Sequence, residues 1–126
     1  MNMDMLQYFK SIAQQDTSEV VICDTAHKIL YMNPAACAHY SKYGGEALVG
    51  RNLLDCHNDK SREMIGRILD WFWESPSHNR VHTFYSEKEN KDVYMIALRD
   101  EQGVLIGYYE KHECRNRDMM PLYSFG

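Results

Sequence analysis

The chain has 126 residues, of which 44% are hydrophobic and 25% are charged, and its formal net charge is −4. These values are typical of one globular domain that can bury a core, and the acidic balance gives no general reason to expect nucleic-acid binding. No apolar run reaches the roughly 20 residues of a membrane-spanning helix, and residues 1–10 do not resemble a signal peptide. We therefore expect a cytoplasmic protein without a nucleic-acid or membrane partner.

Residues 1–17 predict an amphipathic helix that is separate from the following domain. Met5, Leu6, Phe9 and Ile12 recur at the three- and four-residue spacing of one helix face. A helix this short is not stable alone in water, so its apolar stripe must find a surface. The stripe can pack on the sheet of its own chain, against a second copy, or both. The second interpretation predicts a homodimer with these four residues in its interface.

Residues 18–114 predict one domain with strands and a long central helix. Apolar runs bounded by turn residues give strands at 20–24, 29–32, 80–86, 93–98 and 104–110. The helix covers 62–73, where apolar residues share one face. Several strands carry apolar residues on both faces, so the sheet needs two covers, which again favours a dimer. Residues 115–126 have no periodicity and predict a loosely held tail.

The four cysteines lie far apart and form no Cys-x-x-Cys pair; they are Cys23, Cys37, Cys56 and Cys114. In a cytoplasmic protein, cellular reductants keep such thiols reduced. The spacing therefore predicts neither a disulfide framework nor a structural zinc site. We expect no bound metal, apart from the haem alternative described below.

Several junctions occur in an order that resembles the PAS sensor domain. Asn33-Pro34 follows a strand and can cap a helix, and Asp100-Glu101-Gln102-Gly103 forms a turn between two strands. Val49-Gly50-Arg51-Asn52 lies between these junctions, where the resemblance places a step into short helices. The run 53–58, Leu-Leu-Asp-Cys-His-Asn, resembles a subset of bacterial PAS domains.

This resemblance implies an α+β fold with a five-stranded antiparallel sheet flanked by short helices. It also implies a domain that senses a small molecule or binds another protein in signal transduction. Since no kinase, cyclase or helix-turn-helix region accompanies the domain, we expect output through rearrangement of a dimer or of the terminal segments, or through a separate signalling protein.

Cys56 and His57 allow three interpretations. They can close a turn, with the histidine satisfied by backbone groups. His57 can instead contact a ligand, or bind haem iron through its imidazole. A small enzyme that uses Cys56 or His57 is the third alternative, but adjacent side chains point apart, which disfavours a nucleophile and base pair. The cysteine motif of flavin-linked light sensors is absent, so only non-covalent flavin remains as a further alternative.

The central helix and the sheet predict a small cavity between them. Its expected residues are His57 at the mouth and Ile65, Ile68, Leu69, Tyr85 and Met95 in the walls. Such apolar walls exclude water, and a few polar groups orient the ligand, which we expect to be a small organic molecule. The competing interpretation is a solid core filled by large side chains.

Overall fold

The computed structural model describes residues 4–126, which form a five-stranded sheet with helices around it. The α-helices are α1 (Met5–Gln15), α2 (Pro34–His39) and α3 (Asp59–Glu74), and the strands are β1 (Val20–Asp24), β2 (Ile29–Met32), β3 (Arg80–Ser86), β4 (Lys91–Arg99) and β5 (Leu105–Cys114). Short 3-10 turns at Ser41–Tyr43, Gly45–Leu48 and Leu53–Cys56 connect α2 to α3. The strand order is β2-β1-β5-β4-β3, and all neighbouring strands are antiparallel. The predicted fold class is confirmed.

Two aspartates stabilise the turn between β1 and β2 and the turn between β4 and β5. Asp24 Oδ1 accepts hydrogen bonds from the amides of Ala26 and Lys28, at 2.9 and 3.0 Å. Asp100 Oδ1 does the same for Gln102 and Val104, at 2.9 and 3.0 Å. A short acceptor side chain that bonds its own following backbone stabilises such turns.

The core lies between α3 and one face of the sheet, which we call the inner face. Leu69 and Phe72 of α3 are buried together with Met95, Leu105 and Tyr108 of the strands. Arg99 holds the carboxyl end of this helix, because its Nη2 donates to three backbone carbonyls, those of Phe72, Ser75 and His78. The last carbonyls of a helix have no partner within the helix, so an arginine donor satisfies them.

A β-bulge in β3 changes which side chains face the core. Val81 pairs with Met95, but Thr83 is left without a partner, and Phe84 rather than Thr83 then pairs with Val93. An extra residue in one strand moves every following side chain to the opposite face. The bulge therefore places Tyr85 on the outer face, contrary to the predicted cavity wall.

Tyr85 has its own partners on the outer face of the sheet. Its hydroxyl donates to Asn90 Oδ1 at 2.7 Å, and the guanidinium of Arg115 lies 4.3 Å from its ring centre. Arg115 also binds the carboxylate of Asp92 with two nitrogens, at 2.5 and 2.7 Å. These contacts account for the position of Tyr85.

The helix α1 extends from the sheet with its apolar stripe exposed. None of the described residues of α1 is buried. All four apolar residues of the stripe are exposed: Met5, Leu6, Phe9 and Ile12. Packing of the stripe on the sheet of its own chain is therefore not observed, and the dimer interface stays a prediction. No helix within residues 4–126 has both the length and the apolar character needed to cross a membrane.

Candidate functional site

An open cleft lies between the amino-terminal half of α3 and the inner face of the sheet, with a volume of about 790 Å³. Small-molecule sites typically measure about 300–1,000 Å³ and are mostly apolar. The apolar part of its wall consists of Leu53, Met64, Ile65, Ile68, Val81, Phe84, Val93 and Met95. The cleft therefore has the size and lining of a small-molecule site.

A second cavity of about 600 Å³ adjoins the cleft. Its wall comes from β1, β2 and the short turns, and includes Val21, Ile29, Met32, Leu48 and Cys56. Tyr40, Leu53, His57 and Glu110 line both spaces. The two cavities therefore meet at a predominantly polar boundary.

The loop that carries His57 is held against the start of α3. Asn58 caps this helix, because its Oδ1 accepts the amide hydrogen of Ser61 at 2.9 Å. One turn later, Arg62 Nε donates to the carbonyls of Leu54 and His57, at 2.9 and 3.0 Å. These bonds position the backbone of His57 beside both cavities.

Glu110 forms the polar centre of the boundary between the cavities. Its Oε1 accepts hydrogen bonds from the Tyr40 hydroxyl at 2.6 Å and from His112 Nε2 at 2.7 Å. Burial raises the pKa of Glu110, but the hydrogen bonds from His112 and Tyr40, together with the charge of nearby histidines, outweigh it and lower the pKa below its usual value. Glu110 is therefore a carboxylate near neutral pH.

A second carboxylate, the buried Glu19, joins this group from the chain that follows α1. Its Oε2 lies 2.7 Å from His112 Nδ1, although this nitrogen has no hydrogen bond of good geometry, so the contact is electrostatic. Lys91 Nζ donates to both oxygens of Glu19 at 3.2 and 3.3 Å, and His39 Nδ1 lies 3.6 Å away. We call Glu19, His39, Tyr40, Lys91, Glu110 and His112 the polar cluster.

Asn33 connects the end of α1 to the rest of the domain. Its fully buried side chain accepts hydrogen bonds from the amides of Val20 and Ala36, both at 3.0 Å. Its Nδ2 donates to the carbonyls of Ala13, Asp16 and Ser18 at 3.0, 3.3 and 2.9 Å. The predicted cap of α2 is confirmed, and the same side chain also holds the segment between α1 and β1.

No protein-family model matches this sequence, and no curated protein does either. Solved structures do match. The C-terminal domain of a Streptococcus mutans protein has a TM-score of 0.69 at 18% identity and covers 86% of this chain and 84% of its own. The PAS domain of a Colwellia psychrerythraea protein has a TM-score of 0.65 at 14% identity, covering 88% and 97%. The chain has the PAS fold. A sensory box sensor histidine kinase from Vibrio cholerae is a further match, with a TM-score of 0.52 at 16% identity, covering 86% and 89%.

Within this PAS fold, the structure brings most of the predicted cavity residues together. His57, Ile65, Ile68 and Met95 line the cleft. Leu69 is 6% exposed and belongs to the core instead, one residue beyond the cleft wall. Tyr85 lies on the outer face because of the bulge described above.

The sequence analysis did not predict the polar cluster of this chain. Its most accessible signal was the i, i+2 spacing of Glu110 and His112 in β5, which puts two ionisable side chains on one sheet face. Cys114, which has the same spacing from His112, is exposed. Glu19 gave no local signal, since its partners lie 20 to 93 positions away in the sequence.

No group of three or more His, Cys, Asp or Glu side chains among residues 4–126 is arranged to hold a metal ion. Cys56 is exposed and borders the second cavity, whereas Cys23 is buried. Burial raises the pKa of the Cys23 thiol to about 12, so it is not a thiolate at neutral pH. The buried cysteine is thus a packing residue.

Proposed function

We propose that this chain is a sensor domain that binds a small organic molecule in the cleft and signals through its amino-terminal segment. The observation that carries the proposal is the open, apolar cleft that ends in a polar cluster. Solved structures with the same fold include a sensor kinase domain, which supports a role in signal transduction. The ligand's apolar part would contact α3 and β4, and its polar part would contact the boundary at Glu110.

The polar cluster gives the cleft a route to α1. His39, Lys91 and His112 line the cleft, and all three contact the carboxylate of Glu19. Glu19 follows the segment that Asn33 holds at Asp16 and Ser18. A ligand that contacts these side chains differently in two conformations shifts the population between them. We infer that the change reaches α1 through Glu19.

The output of this change would be a rearranged dimer or an exposed surface for a separate signalling protein. The exposed stripe of α1 supports a homodimer, because four large apolar side chains in water favour association.

We expect dimers at protein concentrations of tens of micromolar. Phe9→Asp places an unpaired charge in the interface and should give monomers. Gln7→Asp, on the polar side of the same helix, is the control and should leave the dimer intact. Light scattering that finds a monomeric wild-type protein contradicts this part of the proposal.

We further propose that the domain binds without catalysis. A nucleophilic cysteine needs a lowered pKa or an adjacent base, and the exposed Cys56 would have to obtain one from His57, its neighbour in sequence. The rate of thiol labelling, measured as a function of pH, distinguishes a binding domain from an enzyme that uses Cys56. Cys56 should label with the pH profile of Cys114, which is also exposed. A much more reactive Cys56 near neutral pH supports the enzyme alternative.

Haem is the second candidate ligand, because His57 lines both cavities and its imidazole is a common haem ligand. Haem absorbs visible light, so the visible spectrum of the purified protein distinguishes bound haem from a colourless organic ligand. A non-covalent flavin has its own spectrum and is tested in the same measurement.

The binding proposal is tested by NMR on protein with ¹³C-labelled methyl groups of isoleucine and methionine. A library of small aromatic fragments should shift the methyl signals of Met64, Ile65, Ile68 and Met95. The signals of Ile106 and Met119, which are exposed and lie outside both cavities, should not move. If no fragment shifts the four cleft signals selectively, the sensor proposal is wrong.

A further inference from the structure

One oxygen of the Glu110 carboxylate has no hydrogen-bond partner within residues 4–126. Tyr40 and His112 both donate to Oε1, and Oε2 receives no donor from these residues. The side chain of Glu110 is 20% exposed and lines both cavities. Oε2 is therefore an acceptor that is held in place by the bonds to Oε1 and is open to a bound molecule.

We propose that the cleft selects a ligand with an N–H or O–H donor on an apolar body, and that Glu110 Oε2 accepts the hydrogen bond from this donor. The proposal rests on the sensor function and specifies its ligand class. A carboxylate acceptor forms shorter and stronger hydrogen bonds than a neutral acceptor does. Because two donors already hold the carboxylate, little reorganisation is needed when the ligand binds.

The other charged groups of the cleft favour a donor over an anionic head group. Lys91 is already paired with Glu19, and His112 lies between Glu19 and Glu110. Lys60 lines the cleft but is exposed, and an exposed ion pair contributes little. A ligand carboxylate at the boundary would meet the ionised Glu110, and like charges at that distance repel. The favoured head group is therefore an aniline, a phenol, an azole N–H or an amine.

The body of the ligand is set by the apolar wall. Met64, Ile65 and Ile68 form one side of the cleft, and Val81, Val93 and Met95 form the other. These side chains offer no hydrogen-bond donor and only the weak thioether acceptors of the methionines, so polar groups along the body would lose their water with little compensation. The ligand is thus expected to carry its polar group at one end.

Three probes of the same shape test this ligand class: 4-ethylaniline with a donor, ethylbenzene without a head group, and 4-ethylbenzoate with a negative charge. Their dissociation constants follow from titrations of the cleft methyl signals in the wild-type protein. We expect 4-ethylaniline to bind at least about tenfold more tightly than ethylbenzene, which corresponds to about 1.4 kcal/mol. The benzoate should bind most weakly.

Glu110→Gln should reduce the affinity for 4-ethylaniline toward that for ethylbenzene and leave the ethylbenzene affinity unchanged. Glu113→Gln is the matched control. Glu113 is in the same strand, but it stands opposite Asp92 in the strand register and therefore lies on the outer face, away from the cleft. It should bind all three probes as the wild type does. The comparison of the probes in the wild-type protein remains decisive if Glu110→Gln does not fold.

The outcomes separate this inference from the sensor function. If ethylbenzene binds in the cleft and the three probes have equal affinities, or the benzoate is preferred, the donor class is wrong and the sensor function stands. If the two glutamine variants behave alike, Glu110 is not the acceptor. If no probe and no library fragment shifts the cleft signals, both proposals are wrong.

Discussion

The two halves of α3 differ in what they face. In the carboxyl-terminal half, Phe72 is 0% exposed, Leu69 is 6% exposed, and Arg99 bonds the backbone at the end of the helix. In the amino-terminal half, Met64 is 47% exposed and lines the open cleft together with Ile65. One amphipathic helix can therefore be a core element at one end and a ligand-binding wall at the other. The apolar stripe alone does not distinguish these two roles.

The largest expected difference between the two halves is in the cost of truncation. Phe72→Ala should reduce the free energy of unfolding by about 3–5 kcal/mol, because it leaves a cavity in a closely packed core. Met64→Ala, in the open half, should change it by no more than about 0.5 kcal/mol. Denaturant unfolding measures both values. Similar losses for the two variants would mean that the halves are packed alike.

Asn33 gives the next largest effect, because it anchors the segment that connects the cleft to α1. Asn33→Ala removes a helix cap, worth about 1 kcal/mol, and leaves buried backbone groups unpaired at about 1–3 kcal/mol. We expect a total loss of about 2–4 kcal/mol. Asn58→Ala removes the exposed cap of α3 and should cost only about 1 kcal/mol. Equal losses would show that Asn33 acts only as a cap.

A smaller effect is expected from the pH dependence of Glu110. Its pKa is lower in the folded protein than the usual glutamate value of 4.5. The unfolded chain therefore takes up a proton first as the pH falls, and the stability that Glu110 contributes above pH 4.5 is lost below it.

Unfolding free energies between neutral and acidic pH test the contribution of Glu110. Glu110→Gln should make the decrease toward low pH less steep than in the wild type, and Glu113→Gln should not. If the free energy of unfolding of Glu110→Gln falls with pH as steeply as that of the wild type, the assignment of a lowered pKa to Glu110 is contradicted.

The elements with local signals could be predicted from the sequence. The bounds of β1, β2 and β3 agree with the predicted strands, and Asn33 caps α2 as expected. The central helix begins at Asp59 rather than at residue 62, because Asn58 supplies its cap. Here, the capping residue marks the boundary better than the apolar pattern does.

The remaining features depend on contacts between distant residues. The bulge at Thr83 arises in the pairing of β3 with β4. The residue pattern of β3 does not indicate it, so Tyr85 was predicted on the wrong face of the sheet. The contacts of Glu19 with Lys91 and His112 arise only when the sheet closes. The cleft walls at Ile65, Ile68 and Met95 follow apolar patterns and were predictable, whereas the polar boundary was not.

The central claim is that the side of α3 that carries Met64, Ile65 and Ile68 borders open space that can hold a ligand. Two adjacent tryptophan substitutions test it in one experiment. Ile68→Trp should fill the cleft, change the free energy of unfolding by less than about 1 kcal/mol, and abolish fragment binding at the cleft methyl signals. Leu69→Trp should overpack the core and cost about 1–3 kcal/mol. Equal destabilisation by both substitutions, with fragment binding unchanged in Ile68→Trp, would contradict the account.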